Sequence, residues 1–324
     1  MITRAAIVGV GHYLPERVVE NDWFASFLDT SDEWITSRSG IRRRHFAAEG
    51  QRTSDLAIRA ARAALEDAGR APDDVDAIIV ATTTPDLTFP ATATIVQAGL
   101  GMTRGFAFDV QAVCAGFIYA LANADGLIRS GQARRVLVIG AETYSRILDW
   151  DDRGTCVLFG DGAGAVVVEA TEGEGTPADR GILASDLRSD GRFGDILQVS
   201  GGVSATQTTG HLMMAGKEVF RHAVEKLAQS TTDVIARAGV TMADIDRVVP
   251  HQANVRIIAR TAEKLGVPME KVVVTVAEHG NTSAASIPLA MSVAHRKGAL
   301  RRGELVVTEA IGGGLAWGAI VLRW

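Results

Sequence analysis

The sequence predicts a layered α/β fold made of two duplicated halves, on three observations. Short β-branched runs alternate with alanine-rich stretches of helical period, the pattern of strands covered by helices. Glycine and alanine are abundant while aromatic residues make up only 6% of the chain, which suits close helix–strand packing. The third observation is a weak repeat at long range. The segment from Ala68 and Gly69 to Ile79 aligns without a gap on the segment from Ala238 and Gly239 to Val249, 170 residues later. Further on, Arg129-Ser130-Gly131 with Val136–Ala141 resembles Arg296-Lys297-Gly298 with Leu305–Ala310 at a spacing of 167 to 169. So long a period denotes duplicated subdomains rather than a solenoid, whose repeats run to about 20–50 residues. The halves divide near residue 172, into 1–172 and 173–324.

Taken in order, the strands expected are Ala5–Val10, Ala77–Thr82, Val136–Ile139, Ala165–Glu169, Val248–Val249, Val272–Thr275 and Leu305–Thr308. A helix over Asp32–Arg38 starts at a capping-box pattern of Thr30 and Glu33 and ends at Gly40. A second helix covers Thr53–Ala68 and closes on Gly69. The extended run Gly105–Val110 leads into an apolar helix beginning near Cys114, and Ile287–His295 is a comparable helix in the second half. Thr171–Arg180, rich in Gly, Glu and Thr, is the one linker-like stretch.

Composition excludes several functions. The 324 residues are 47% hydrophobic and 22% charged, as in ordinary globular chains rather than disordered ones. A net charge of −5 argues against a nucleic-acid binder. No apolar run approaches the roughly 20 residues that span a membrane, and the N-terminus runs directly into a strand pattern with no signal-peptide core. Cys114 and Cys156 alone cannot staple a chain of this size, so the sequence points to the reducing cytoplasm.

Chemistry gathers at three places. Cys114 sits where an extended run meets a helix, and a helix start favours a thiolate. The alternative is an inert buried cysteine. Adding 167 to Cys114 lands on Asn281, in Gly280-Asn281-Thr282-Ser283-Ala284-Ala285-Ser286, which again precedes an apolar helix. The two would be pseudo-twofold mates facing one cavity. His251, in Pro250-His251-Gln252-Ala253-Asn254, follows a strand, where open α/β sheets place ligands. His279 is the other contender, and the remaining histidines read as structural. Gly9-Val10-Gly11 lacks the third glycine of a dinucleotide site, and Gly160–Gly164 lacks the Lys-Ser/Thr of a P-loop. Gly312-Gly313-Gly314 could present N–H groups to an oxyanion. No Cys, His and carboxylate spacing suggests a metal. Arg256, Arg260 and Lys264 fall at i, i+4 and i+8, a basic stripe or simply a solvated helix face.

Cys114 in Ala-Val-Cys-Ala-Gly-Phe, His251 in HQAN and Asn281 in GNTSAAS together resemble the thiolase-like condensing enzymes, nearest to the β-ketoacyl-acyl carrier protein synthases III. The similarity extends through Thr30–Ile35, Gly40–Arg42, Asp152–Thr155, Phe159–Ala165 and Gly312–Gly318. Elongating synthases use a cysteine with two histidines, and degradative thiolases carry a second, C-terminal cysteine; neither pattern is present. The resemblance implies a five-layer α-β-α-β-α fold, a homodimer and no cofactor, since the CoA thioester is a substrate. It also implies the activity: an acyl-CoA, acetyl-CoA foremost, condenses with malonyl-acyl carrier protein to begin fatty-acid synthesis.

The same resemblance implies the roles. Cys114 is the nucleophile, with its own N–H and that of Gly313 as oxyanion hole, and His251 and Asn281 stabilise an enolate. Thr30, Trp34, Arg38, Arg153, Gly216 and Phe220 contact CoA, although Trp34 by itself could be packing. Gln252, Arg256, Arg260 and Lys264 meet the acidic carrier protein. Phe89 closes the acyl pocket of a neighbouring subunit, and Ile311 stands where the family usually has Phe. Lys217 holds a tunnel-mouth position often occupied by Asn or Arg. A cysteine thioesterase and a specialised synthase of secondary metabolism are the alternatives.

Overall fold

The apolar runs become strands where both of their faces are covered. The computed structural model describes all 324 residues. One sheet comprises Ile2–Tyr13 (β1), Ala77–Ala81 (β2), Phe106–Val110 (β3), Arg135–Glu142 (β4) and Gly162–Gly173 (β5), in the order β1-β5-β4-β2-β3. A second comprises Gly181–Ser189 (β6), Arg247–Pro250 (β7), Leu305–Gly312 (β8) and Ala316–Arg323 (β9), in the order β7-β8-β9-β6. The patterns match: β2 and β7 each run parallel to the neighbouring β4 or β8, the two further pairings beyond β4 or β8 are antiparallel, and the first sheet adds β3 parallel to β2.

Five layers result. Asp32–Ser39 is α1. On the outer face of the first sheet lie Thr53–Ala68 (α2) and Thr92–Leu100 (α3), where Leu56, Ala60, Ala64 and Val96 pack against Ile78, Val80 and Val167. The central layer is Gly116–Arg129 (α4), with Ser286–Arg296 (α7) toward the end of the chain. Phe117, Ile118, Leu121, Ile287 and Met291 join strands of both sheets in a single core. Gly216–Arg237 (α5) and Val255–Leu265 (α6) cover the outer face of the second sheet through Val234, Ile235, Ile258 and Ala262. Mostly apolar side chains fill this middle, and burying apolar surface at about 25 cal/mol per Å² is what holds the sheets together.

Three local expectations need correction. Helix α1 is capped by Ser31, whose hydroxyl accepts from the Trp34 N–H at 3.1 Å, not by Thr30. Val272–Thr275 is not a strand, although it lies where the duplication requires a partner of β3. It makes one bridge, Val248 to Val272, with the Val273 N–H donating to the Val248 carbonyl at 2.9 Å, and further along a side chain takes the place of a strand. The Gln252 amide donates to the Val273 carbonyl at 3.0 Å and accepts from the N–H groups of Thr275 and Val276 at 2.7 and 3.1 Å. Thr171–Arg180 is no free linker either. It extends β5 and is then pinned by Asp179, which accepts from the Glu174 and Gly175 N–H groups and pairs with buried Arg4 at 3.2 Å.

Candidate functional site

Each half delivers one tight turn to the centre of the molecule. In the first, Val113–Ala115 is a 3₁₀ turn entered with Val113 at φ +51°, and α4 follows at Gly116. In the second, Ser283–Ala285 is a 3₁₀ turn entered with Ser283 at φ +48°, and α7 follows at Ser286. A left-handed β-branched residue such as Val113 is strained and persists only where its surroundings hold it. These matched turns lie 170 residues apart, so the mate of Cys114 is Ala284 and that of Asn281 is Gln111. The Cys114–Asn281 pairing drawn from a spacing of 167 is therefore wrong. That spacing holds only at the C-terminal ends of the central helices, because α4 has 14 residues and α7 has 11, and the strands that follow return to 170.

Cys114, His251 and Asn281 nevertheless line one cavity of about 420 Å³. All three are nearly closed off from solvent, at 5%, 5% and 6% exposure. Val113, Tyr144, Phe159, Leu197, Leu227 and Ile311 make most of its inner wall apolar. The tight approach of the two sheets sets the nucleophile's position. A Cβ on Gly312 would lie 2.6 Å from the Cys114 nitrogen and 2.8 Å from the Ala112 carbonyl, so only glycine fits there.

The electrostatics differ from a helix-activated thiol. Burial pushes the Cys114 thiol up to about 12, a Ser283 hydrogen bond opposes this, and nearby Glu142 adds to it. The expected lowering toward neutrality is thus overturned. Helix-end fields contribute roughly 1 kcal/mol, whereas removing a charge from water costs several. Burial likewise holds His251 down to about 3, so its ring is neutral. Glu142 at the end of β4 and Glu309 within β8 are both pushed up to about 7 by burial.

The hydrogen bonds behind the two polar side chains orient them. The Ser283 N–H donates to Asn281 Oδ1 at 2.9 Å. Because an N–H can meet only the oxygen of that amide, the Asn281 NH₂ is left for the cavity. His251 is tied by its backbone N–H to the Glu309 carbonyl at 2.8 Å, and its ring Nδ1 lies 2.6 Å from Ser286 Oγ. The HQAN segment divides its tasks. His251 faces the cavity, Gln252 braces the Val272–Val276 backbone, and Asn254 caps α6 by accepting from the Arg256 N–H at 2.8 Å. The Asn254 amide also donates to the Arg38 carbonyl at 3.1 Å, docking α1 on α6. Gln252 is therefore buried with its amide fully engaged, and its assignment to carrier-protein contact is withdrawn.

At the mouth, Trp34, Arg38, Gly216, Lys217, Phe220 and Arg256 line the opening. The Arg38 and Arg153 guanidiniums lie 4.4 and 5.1 Å from the Trp34 ring centroid. Arg153 also pairs with Asp29 at 3.3 Å, and it adjoins the cavity through Gly154 rather than lining it. Thr30 and Gly313 are outside the lining, and Phe89 is 82% exposed and outside it as well. Arg260 and Lys264 continue along exposed α6, Arg260 pairing with Glu263 at 2.5 Å. Reading the sequence missed Ser286, Ser283 and Tyr144. Tyr144 stacks on Phe159 with ring centroids 4.9 Å apart and accepts from the Ser283 hydroxyl at 3.1 Å. The signal available was the pair of serines in GNTSAAS, Ser283 ahead of a largely apolar helix and Ser286 at its first position.

Five layers from two duplicated halves, with a cysteine, a histidine and an asparagine in one buried cavity, define a thiolase-fold condensing enzyme. Comparison with known proteins narrows the class. Residues 108–191 match the 3-oxoacyl-[acyl-carrier-protein] synthase III family, and residues 235–324 match the C-terminal part of that family. A β-ketoacyl-[acyl-carrier-protein] synthase III from Ruegeria pomeroyi is 70% identical over the full length of both chains. The crystal structure of 3-oxoacyl-[acyl-carrier-protein] synthase III from Aquifex aeolicus is similar with a TM-score of 0.93 and 46% identity, over 99% of this chain and 100% of that one. The priming β-ketosynthase of the R1128 polyketide pathway has a TM-score of 0.92 at 35% identity, covering all of this chain and 97% of that one. The chain belongs to the β-ketoacyl-acyl carrier protein synthase III family, acyltransferase-type condensing enzymes of fatty-acid synthesis.

Proposed function

We propose that this chain joins a short-chain acyl-CoA, acetyl-CoA foremost, to malonyl-acyl carrier protein and so begins type II fatty-acid synthesis. The observation that carries the reading is the sharing of one buried cavity by a single thiol and two neutral nitrogen donors. Cys114 attacks the thioester carbonyl, its sulfur bonds to the acyl carbon, and its proton ends on the departing CoA sulfur. The Cys114 N–H and the Gly313 N–H receive the transient oxyanion. Malonyl-carrier protein then loses CO₂, leaving an enolate whose oxygen charge takes hydrogen bonds from His251 and Asn281. The enolate carbon attacks the acyl carbon, and the Cys114–acyl bond breaks to release the β-ketoacyl product and a Cys114 thiolate, which takes a proton from water to restore the thiol. The neutral state of the His251 ring and the fixed amide of Asn281 suit donation; neither is arranged to take a proton.

The rim fits the two carriers of acyl groups. Trp34, flanked by Arg38 and Arg153, offers a ring for adenine and cations for phosphates, with Thr30, Gly216 and Phe220 nearby. Arg256, Arg260 and Lys264 form the exposed basic stripe for an acidic carrier protein, an electrostatic match that steers association. Exposed Phe89 suits closure of a second copy's pocket in a homodimer, and Tyr144, Phe159 and Ile311 leave room for short primers. A second reading, priming of a specialised pathway, has the resemblance to the R1128 ketosynthase behind it.

The deciding experiment is intact-protein mass spectrometry after incubation with acetyl-CoA. A single acetyl adduct on wild type and none on Cys114→Ala is the expected result. Without an adduct, acetyl is the wrong primer and longer or branched acyl-CoAs come next. An adduct that survives in the variant removes Cys114 as nucleophile. Acceptor preference between fatty-acid and specialised carrier proteins separates the two readings.

A further inference from the structure

We infer that Ser286 is a positioning residue that sets the tautomer of His251, holding its proton on Nε2, where it faces the cavity. This rests on the condensing role proposed above. The argument is one of counting donors and acceptors. Ser286 is 2% exposed, so its hydroxyl has no recourse to water. Its oxygen lies 2.6 Å from His251 Nδ1 and accepts from the Gln252 N–H at 3.3 Å, and it has no other partner. A hydroxyl carries one hydrogen and two lone pairs. With His251 protonated on Nδ1, the Ser286 oxygen would accept from both Nδ1–H and the Gln252 N–H, and its own hydrogen would be buried without an acceptor. With Nδ1 bare, the Ser286 O–H donates to it and every group is satisfied. The hydrogen bond at one ring nitrogen selects the tautomer and hence what the other nitrogen can do.

The reaction needs this tautomer. His251 Nε2 has no partner within the protein, and an Nε2–H is the donor that the enolate oxygen requires. The Nδ1–H tautomer would present a lone pair to a developing negative charge and repel it. Ser286 begins α7, three residues after Ser283, whose N–H orients Asn281. One turn thus aims both donors, Asn281 through its main chain and His251 through a side chain.

Histidine-¹⁵N-labelled protein tests the inference, with His251→Asn assigning the ring signals. Long-range ¹⁵N–¹H spectra of the wild type should show the proton on Nε2 and a bare Nδ1. A wild-type proton on Nδ1 would overturn the inference, and this measurement does not depend on any variant folding. Ser286→Ala should acetylate Cys114 within about threefold of wild type and lose condensation on the order of 10²-fold. Its His251 ring should leave the single Nε2–H form. Condensation at the wild-type rate in Ser286→Ala would also sink it. Failure of wild type to form an adduct with acetyl-CoA or with any longer or branched acyl-CoA would remove the condensing role instead, while the ring spectrum still decides the tautomer.

Discussion

The turns at Val113–Ala115 and Ser283–Ala285 have the same backbone, each with one left-handed residue at its entry and a central helix at its exit. They differ in what they present. The first carries the thiol, pressed against Gly312 and sealed by apolar neighbours. The second carries no nucleophile at the equivalent Ala284; its polar groups orient side chains lying outside it, Asn281 upstream and His251 in another strand–helix connection. Duplication supplied two copies of one device. Exchange of a few side chains then made one a place for covalent chemistry and the other a mount for hydrogen-bond donors.

This division can be broken from either side. The largest effect is expected at Asn281→Ala, which removes a donor while leaving the first turn untouched. Condensation should fall on the order of 10²–10³-fold, with Cys114 acetylation near wild type in the intact-mass assay. Equal loss of both steps would mean that the two turns do not divide the work. Gly312→Ala probes the first turn. Its Cβ would displace the Cys114 main chain, so acetylation itself should slow by about 10²-fold, since small misplacements are costly in a preorganised site. An unchanged acetylation rate would show that the close approach is not what positions the thiol.

The smallest effect concerns Glu142 and Glu309, one from each half. Both are buried and pushed up to about 7, so the folded state holds their protons more tightly than the unfolded chain. The stability gained from the neutral carboxyls is full below about 4.5 and is lost as pH rises toward 7. The melting temperature should therefore fall by several degrees between pH of about 5 and 7.5, and Glu309→Gln should remove roughly half of that fall. A Glu309→Gln profile parallel to wild type would show that the carboxyl does not titrate in this range.

Much of this was legible before folding. Ala77–Thr82, one residue longer than the strand that forms, and Val136–Ile139 and Leu305–Thr308 read as strands because burial on both faces leaves unbroken apolar runs. Thr53–Ala68 was readable to the residue because its period and terminal glycine are local signals. The failures are equally physical. Val272–Thr275 has strand composition, but whether its backbone pairs with a strand or with Gln252, more than 20 residues away, is a competition no local pattern records. Thr30 and Ser31 both suit a cap, and in the fold it is the Ser31 hydroxyl that meets the Trp34 N–H.

The sequence by itself determined the element order, the duplication, the identities of Cys114, His251 and Asn281, and through their motifs the family. These depend on chain neighbours and on residue types. Tertiary structure alone decided which residues are true mates across the duplication, the ionisation of the Cys114 thiol and the orientation of the two donors. Each of those depends on burial or on a hydrogen bond between distant segments. The clearest case is Ser286, which lies 35 positions from His251 in the chain and 2.6 Å from its ring in the fold.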